Sequence, residues 1–129
     1  MRQLLLDTNV LIALSDPHHD VFNAVEAALR RGALASTCSV AWHEYVRGPL
    51  LDKDRSRVLR VVESRVINLA RRHAETAANL YNATGRRRGS TADCLIAAVA
   101  IDSNAEMVTC NTGDFKLFVP HGLRLFEGL

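Results

Sequence analysis

Short apolar runs alternate with longer amphipathic segments along the whole chain, and this alternation most constrains the fold. Strands that alternate with helices favour a parallel sheet covered by helices on both faces. We therefore predict a three-layer α/β/α sandwich with a sheet of four or five parallel strands. The runs predicted as strands cover residues 3–6, 34–37, 66–69, 107–109 and 123–126.

The intervals between these runs have helical spacing. The run at 91–102 is nearly all apolar, so we expect that helix in the core. Asn111 to Asp114 is predicted as a turn, and the length of 129 residues fits one domain spanning residues 1–129. Helices are predicted from Val10 onward, at 20–31, from a cap at Ser39 to Val46, and at 52–63, 71–84 and 91–102.

Composition favours an ordinary globular protein. Hydrophobic residues make up 48% and charged residues 23% of the chain. No apolar run approaches the ~18 residues that span a bilayer, so we expect a cytoplasmic protein without a signal peptide or membrane contact. Cys38, Cys94 and Cys110 are odd in number and lack metal-ligand spacing, so we expect buried thiols.

Positive charge is concentrated in the middle of the chain. The net charge of +2 is too small to indicate a polyanionic partner. The loop from Gly85 to Gly89, however, contains Arg86, Arg87 and Arg88 and leads directly into the next helix. We expect this loop to contact phosphate groups, although a solvated basic loop is the alternative.

Four carboxylates fall at positions where an α/β sheet could bring them together: Asp7, Glu44, Asp93 and Asp114. Each also has a local explanation. Asp7 can cap the following helix, and Asp93 can form a capping box with Ser90. Glu44 can be a solvated helix residue, and Asp114 can stabilise a turn.

The combination of the four carboxylates favours an active site. Ligands of parallel sheets bind outside the carboxyl ends of the strands, where Asp7 and the 111–114 turn are predicted to lie. Crowded carboxylates repel, and oxygen-ligated Mg²⁺ or Mn²⁺ relieves that repulsion. Such an ion is the usual device for phosphoryl chemistry, so a phosphodiester is the expected substrate.

Four segments together resemble a PIN-domain ribonuclease of the VapC toxin type. They are LLDTNVLI at 5–12, SVAWHEY at 39–45, ADCLIAA at 92–98 and VTCNTGDF at 108–115. The likeness spans nearly the whole chain in the same order. Trp42-His43 is bulkier than this type usually has before Glu44, and Cys94 replaces a small residue, but no oxygen ligand is lost.

The resemblance implies a Mg²⁺- or Mn²⁺-dependent endoribonuclease that cuts structured RNA such as tRNA or ribosomal RNA and leaves a 5′-phosphate and a 3′-hydroxyl. It implies a cognate antitoxin as partner. Asp7 and Asp93 match the principal metal ligands, and Glu44 and Asp114 complete the acidic pocket. The supporting polar positions are Thr8, Asn9, Thr109 and Asn111. The expected RNA-binding residues are Arg86, Arg87 and Arg88.

Other classes of protein share parts of this pattern. A haloacid-dehalogenase-type phosphatase needs a second Asp where Asn9 stands. An inactive nuclease-like binding module and a housekeeping RNA-processing PIN nuclease remain alternatives. We expect His18 and His19 in a loop without metal, and His43 and His73 on helix surfaces. An apolar set is expected in the core, with a homodimer or antitoxin surface as the alternative: Val21, Phe22, Val25, Leu50, Leu51 and Leu59.

Overall fold

The computed structural model describes residues 1–129, which form a five-stranded parallel sheet between helices. The strand order is β3-β2-β1-β4-β5, so the chain builds outward from β1 to β3 and then crosses to the other side. The predicted α/β/α sandwich is confirmed. The strands are β1 (Gln3–Leu6), β2 (Leu34–Cys38), β3 (Val66–Ile67), β4 (Glu106–Val108) and β5 (Arg124–Leu125).

Seven helices connect these strands. The positions of the first six follow the prediction closely, and the ends that differ do so by one or two residues. They are α1 (Thr8–Ala13), α2 (Asp20–Arg30), α3 (Ser39–Val46), α4 (Asp52–Val61), α5 (Arg71–Ala83), α6 (Thr91–Asp102) and α7 (Thr112–Phe115).

The central strand β1 is apolar because it is covered on both faces and paired on both edges. Leu4, Leu5 and Leu6 are fully buried. Leu5 pairs with Ser36 of β2 on one side and with Met107 of β4 on the other. A strand in this position has no solvent-facing residues, which explains a continuous apolar run in place of alternation.

Helix α6 lies in the core, as predicted. Six of its residues are buried, including the unbroken series from Ile96 to Ala100. The alanines in this series have short side chains, so neighbouring elements approach closely. Helix α5 makes the most extensive packing contact with α6 of any pair of elements. This packing holds the first turn of α6, which carries Asp93, in a fixed place.

The turn predicted at Asn111–Asp114 is wrong. Asn111 precedes the short helix α7, and a 3₁₀ helix then runs from Lys116 to His121. Phe115 and Phe118, three residues apart, are both buried and their ring centroids are 6.1 Å apart. This aromatic pair gives the segment an apolar face, and burial of that face stabilises helical structure that local turn residues do not indicate.

Two expectations about burial are also wrong. Cys110 is exposed, whereas Cys38 and Cys94 are buried as predicted. Cys110 is exposed because β4 ends at Val108 and the chain leaves the sheet there. His73 is fully buried rather than on the surface of α5, because its ring bridges two elements.

The ring of His73 joins the start of α5 to the end of α6. The Ala70 N–H donates to His73 Nδ1 at 2.9 Å, and His73 Nε2 lies 3.0 Å from Asp102 Oδ2. Because Nδ1 accepts, the proton is on Nε2, which donates to the carboxylate. Arg72 Nε donates to the same Asp102 oxygen at 2.9 Å, and this hydrogen bond lowers the pKa of Asp102.

The apolar set expected in the core is mostly buried or partly buried, with one exposed member. Val21 and Val25 are buried, and Phe22, Leu50 and Leu59 are partly buried. Leu51, however, is 59% exposed. No helix in the structure has the length and apolar character needed to cross a membrane.

We expect His73→Leu to lower the free energy of unfolding by about 1 to 3 kcal/mol, because it leaves the Ala70 N–H without a partner and removes one of the two hydrogen bonds to Asp102. Urea denaturation followed by circular dichroism measures this change. The exposed His43 provides the control, and His43→Leu is expected to change stability by no more than about 0.5 kcal/mol. Equal effects of the two substitutions would contradict the bridging role of His73.

Candidate active site

The carboxyl ends of β1 and β4 lie side by side at the point where the strand order reverses. Leu6 pairs with Val108, so the residues that follow them, Asp7 and Thr109, leave the sheet together. The Asp7 N–H continues the ladder by donating to the Val108 carbonyl at 3.2 Å. Crevices of this kind are the usual ligand sites of parallel α/β sheets.

Asp7 is only 3% exposed, and both of its carboxylate oxygens are engaged. Oδ1 accepts from the Val10 N–H at 3.1 Å, so Asp7 caps helix α1 as one interpretation of the sequence expected. Oδ2 accepts from the Thr109 hydroxyl at 2.5 Å. Burial raises the pKa of Asp7, and the hydrogen bonds from Thr109 and Val10 oppose that rise.

Thr109 and Asn111 form a short relay behind Asp7. The Asn111 N–H donates to the Thr109 hydroxyl at 2.9 Å, and that hydroxyl donates onward to Asp7. Thr109 is almost fully buried, so its hydroxyl has a fixed direction. The relay therefore orients the Asp7 carboxylate from the β4 side, which is the kind of supporting contact expected of Thr109 and Asn111.

Helix α3 supplies the second acidic group. Glu44 Oε1 accepts from the Thr8 hydroxyl at 2.7 Å, which ties α3 to the first residue of α1. The second oxygen of Glu44 lies 3.9 Å from the exposed guanidinium of Arg47. The side chain of Glu44 is 26% exposed, so it is neither buried nor a freely solvated surface residue.

Asp93 lies in the first turn of α6, and its pKa is shifted further than that of Asp7. Desolvation and the negative charges of Asp114, Glu44 and Asp7 raise its pKa to about 6. The capping box with Ser90 does not form. The Ser90 hydroxyl instead donates to the Arg87 carbonyl at 2.8 Å, because Ser90 does not adopt the extended backbone of a capping residue.

Asp114 differs from the sequence expectation. It is exposed and is not among the residues that line the cleft, because α7 turns Phe115 inward and Asp114 toward solvent. Its charge nonetheless reaches the site, since it contributes more than any other acidic group to the raised pKa of Asp93. Asp114 therefore lies at the rim of the cleft.

The cleft has a volume of about 150 Å³ and is lined mostly by polar groups. Its floor includes two apolar residues, Ile96 and Phe115, that the sequence interpretation did not assign to the site. The spacing of Ile96 from Asp93, three positions along a helix, is a signal that could have found it. The lining comprises Asp7, Thr8, Asn9, Glu44, Asp93, Ile96, Asn111 and Phe115.

The three arginines of the loop before α6 do not behave alike. Arg87 is close enough to Asp93 for its charge to lower the pKa of that carboxyl. Arg86 is directed back to α5, where its guanidinium lies 5.3 Å from the centroid of the Tyr81 ring. Arg88 is exposed. The loop thus carries positive charge beside the cleft, chiefly through Arg87.

The donor chemistry of the cleft fits a hydrated divalent cation. Carboxylate and amide oxygens are the ligands that Mg²⁺ and Mn²⁺ prefer, and no cationic side chain lines the cleft. No three acidic, histidine or cysteine side chains are grouped tightly enough to enclose an ion. Mg²⁺ usually takes one or two carboxylates and keeps several waters, so this spacing is compatible with it.

In the absence of divalent metal we expect Asp93→Asn to raise the free energy of unfolding at pH 7.5 by about 1 to 2 kcal/mol. The pKa of about 6 lies above the usual 3.8, so the native state binds more protons than the unfolded state between these values. Stability from this group is therefore lost as pH rises from about 4 to 6. The full shift corresponds to about 3 kcal/mol, which partial solvent exposure reduces.

Urea denaturation at pH 4.0 and 7.5 tests this expectation. The advantage of Asp93→Asn should appear at pH 7.5 and nearly vanish at pH 4.0. Asp52→Asn, at an exposed acidic position on α4, is the matched control and should show no such difference. An advantage of equal size at both pH values would mean that the charge of Asp93 is not its cause.

Comparison with known structures places this geometry in context. Across 96% of its length the chain is similar to VapBC2 from Rickettsia felis bound to a promoter DNA fragment, with 24% identity, 97% of that chain covered and a TM-score of 0.73. It is similar to FitAcB from Neisseria gonorrhoeae over 97% of both chains, with 23% identity and a TM-score of 0.70.

A toxin-antitoxin complex from Klebsiella pneumoniae is also similar, with 26% identity over 87% of this chain and 89% of that chain and a TM-score of 0.65. Among curated proteins, none matches this sequence. The family model of the PIN domain matches residues 4–118. These boundaries include the cleft and every strand except β5, and the chain therefore belongs to the PIN-domain family.

Proposed function

We propose that this protein is a Mg²⁺- or Mn²⁺-dependent endoribonuclease and the toxin component of a VapBC-type toxin-antitoxin pair. The observation that carries the proposal is the meeting of Asp7, Glu44 and Asp93, from three separate elements, in one cleft without a lining cation. Membership in the PIN-domain family and the similarity to toxin-antitoxin structures support it. The proposed substrate is structured RNA such as tRNA or ribosomal RNA.

Asp7 and Asp93 are the proposed metal ligands, with Glu44 and Asp114 completing the acidic surroundings. A bound Mg²⁺ or Mn²⁺ supplies neutralisation of phosphate charge and activation of water. Asp7 suits the role because two hydrogen bonds fix its carboxylate before any ligand arrives. Asp93 suits it because its raised pKa reflects uncompensated negative charge, which a cation relieves.

The remaining polar groups of the cleft have proposed supporting roles. Glu44, held by the Thr8 hydroxyl, is placed to accept a proton from the attacking water. Thr109 and Asn111 orient Asp7. Asn9 is one of the polar residues that line the cleft. Asp114 adds negative charge at the rim, where it contributes to attracting the cation.

The arginine loop is proposed to hold the RNA backbone. Arg87 lies near Asp93 and is exposed, so it can pair with a phosphate next to the scissile bond. Arg86 and Arg88 add positive charge on the same loop. Electrostatic contacts of this kind position the backbone without reading sequence.

A cognate antitoxin is the proposed protein partner, and a homodimer is the proposed oligomeric state. A groove of about 340 Å³ runs beside the cleft and shares Glu44 with it. Ile12, which lines this groove, is 54% exposed, and neighbouring Leu51 is 59% exposed. Exposed apolar residues beside an acidic group suit a partner segment that combines apolar and basic side chains.

Cleavage of a pooled tRNA and ribosomal RNA substrate tests the nuclease. With Mg²⁺ or Mn²⁺ we expect Asp7→Asn to reduce the cleavage rate by about 100-fold or more, since loss of a metal ligand removes several kcal/mol of transition-state stabilisation. EDTA should abolish cleavage by the wild type. Asp52→Asn is the control and should cut normally.

A thermal shift on adding Mg²⁺ gives a second readout independent of activity. The wild type should gain stability and Asp7→Asn should not. Metal binding without cleavage of any RNA would favour an inactive nuclease-like domain. If the folded protein neither binds the metal nor cleaves RNA, the proposal is overturned.

The toxin assignment predicts a gene for a short DNA-binding protein immediately upstream, and co-expression with the product of that gene tests it. We expect the pair to co-purify and the partner to suppress cleavage. Leu51→Asp should weaken capture of the partner by about 10-fold or more while leaving RNA cleavage intact, because it places charge beside the groove, next to the lining residue Leu50. Leu69→Asp, at another exposed apolar position, is the control. Normal capture by Leu51→Asp would remove this surface from the interface.

A further inference from the structure

An apolar groove lies between α5 and α6, on the side of α6 away from the acidic cleft. It has a volume of about 300 Å³ and is open to solvent. Ala74, Ala77 and Ala78 of α5 supply small side chains along one wall, and Leu95 of α6 stands opposite. Alanine at these positions leaves room for a flat group where a larger side chain would fill the space.

Tyr81 forms an aromatic end of this groove. Arg86 lies over the Tyr81 ring, 5.3 Å from its centroid, without lining the groove, and its Nη1 donates to Asn82 Oδ1 at 2.5 Å. The Tyr81 ring is thus covered by the guanidinium of Arg86, from the loop after α5, and still contributes to the groove. Tyrosine rings and guanidinium planes are the protein surfaces on which unpaired bases stack.

Two polar groups stand at the edges of the groove. Asn82 uses its carbonyl oxygen for Arg86, which leaves its amide nitrogen as a donor. The hydroxyl of Thr91, the first residue of α6, can both donate and accept. Apolar walls with a few polar groups at the rim match a nucleobase, whose faces are apolar and whose edges form hydrogen bonds.

The groove and the acidic cleft lie on opposite sides of the same turn of α6. Thr91 and Asp93 are two positions apart, which is about 200° around a helix of ~10 Å diameter. The basic loop that contains Arg86, Arg87 and Arg88 runs directly into this turn. An RNA strand with one phosphate near Asp93 therefore runs along the positively charged loop before it reaches the groove.

We propose that this groove binds an unstacked nucleobase of the RNA substrate, close to the scissile phosphate, and so contributes to the choice of cleavage site. The inference rests on the proposed ribonuclease function. RNA is favoured over a protein occupant because the adjoining loop is basic and the guanidinium of Arg86 already lies over the Tyr81 ring. A base inserted against Tyr81 also fixes the strand relative to Asp93, which the phosphate contacts alone do not.

Binding of a short single-stranded RNA in EDTA tests the groove without any cleavage. The probe is a pentanucleotide with 2-aminopurine at each position in turn, whose fluorescence falls on stacking. Ala78→Leu, which fills the groove, and Tyr81→Ala, which removes the ring, should each weaken binding by about 10-fold and abolish the quenching. Tyr81→Phe keeps the ring and should bind like the wild type.

Ala83→Leu is the matched control, because Ala83 is an exposed alanine of the same helix outside the groove. In cleavage assays with metal, Ala78→Leu should raise KM with little change in kcat. Wild-type affinity and quenching in both Ala78→Leu and Tyr81→Ala would overturn the proposal. So would a change of oligomeric state in Ala78→Leu, measured by light scattering, with unchanged RNA affinity, since it would identify a surface between copies.

The two proposals fail separately. A wild type that cleaves RNA, with variants that bind normally, removes the base site and keeps the nuclease. If the wild type cleaves no RNA but quenches the probe, and Ala78→Leu and Tyr81→Ala do not, the base site is kept and the nuclease is rejected. A wild type that does not bind the probe removes the base site.

Discussion

The buried carboxylate of Asp7 is the group on which the geometry of the site depends. It follows the last residue of the central strand, caps α1 and accepts a hydrogen bond from the Thr109 hydroxyl. One side chain therefore connects β1, β4 and α1 at the point where the strand order reverses. Burying a carboxylate is costly unless it is hydrogen-bonded. Here the hydroxyl of Thr109, just after β4, and the backbone N–H of Val10 in α1 donate the hydrogen bonds that offset this cost. Both donors also fix the direction in which the Asp7 carboxylate faces the cleft.

The electrostatics of the cleft oppose stability. Asp7, Glu44 and Asp93 bring negative charge together while no cationic side chain lines the space between them. The surrounding packing holds this arrangement, because the first turn of α6 belongs to a helix that buries six of its residues in the core. Rigid elements thus keep like charges close, which is the condition under which a divalent cation binds most usefully.

Much of this arrangement follows from the sequence. The bounds of β1 and α6 were predicted to the residue, because the buried apolar run Leu4–Leu6 in β1 and the buried series from Ile96 to Ala100 in α6 leave little ambiguity of pattern. The meeting of Asp7, Glu44 and Asp93 was expected from a parallel sheet, in which the strand end at Asp7 and the helices that carry Glu44 and Asp93 can converge at one edge. The local alternatives could not be resolved in the same way. Asp7 caps a helix and also lines the cleft, whereas the expected capping box at Ser90 is absent.

The errors share a physical origin in contacts between residues distant in sequence. His73 can be buried because Asp102, 29 positions away, accepts a hydrogen bond from its Nε2. The helical structure after Asn111 depends on Phe115 and Phe118 packing into the core, and the outward position of Asp114 follows from that packing. Helical spacing alone does not distinguish a surface histidine from one that meets a partner on another helix.

The hydrogen bond between Thr109 and Asp7 also has a consequence for synthesis of the chain. These residues are 102 positions apart, so nearly the whole polypeptide must leave the ribosome before the bond can form. Until β4 pairs with β1, the Asp7 carboxylate has only its cap contact in α1 and lacks the wall that β4 provides. An incomplete chain therefore carries the acidic residues without their arrangement, and the cleft appears only as the last strands join the sheet.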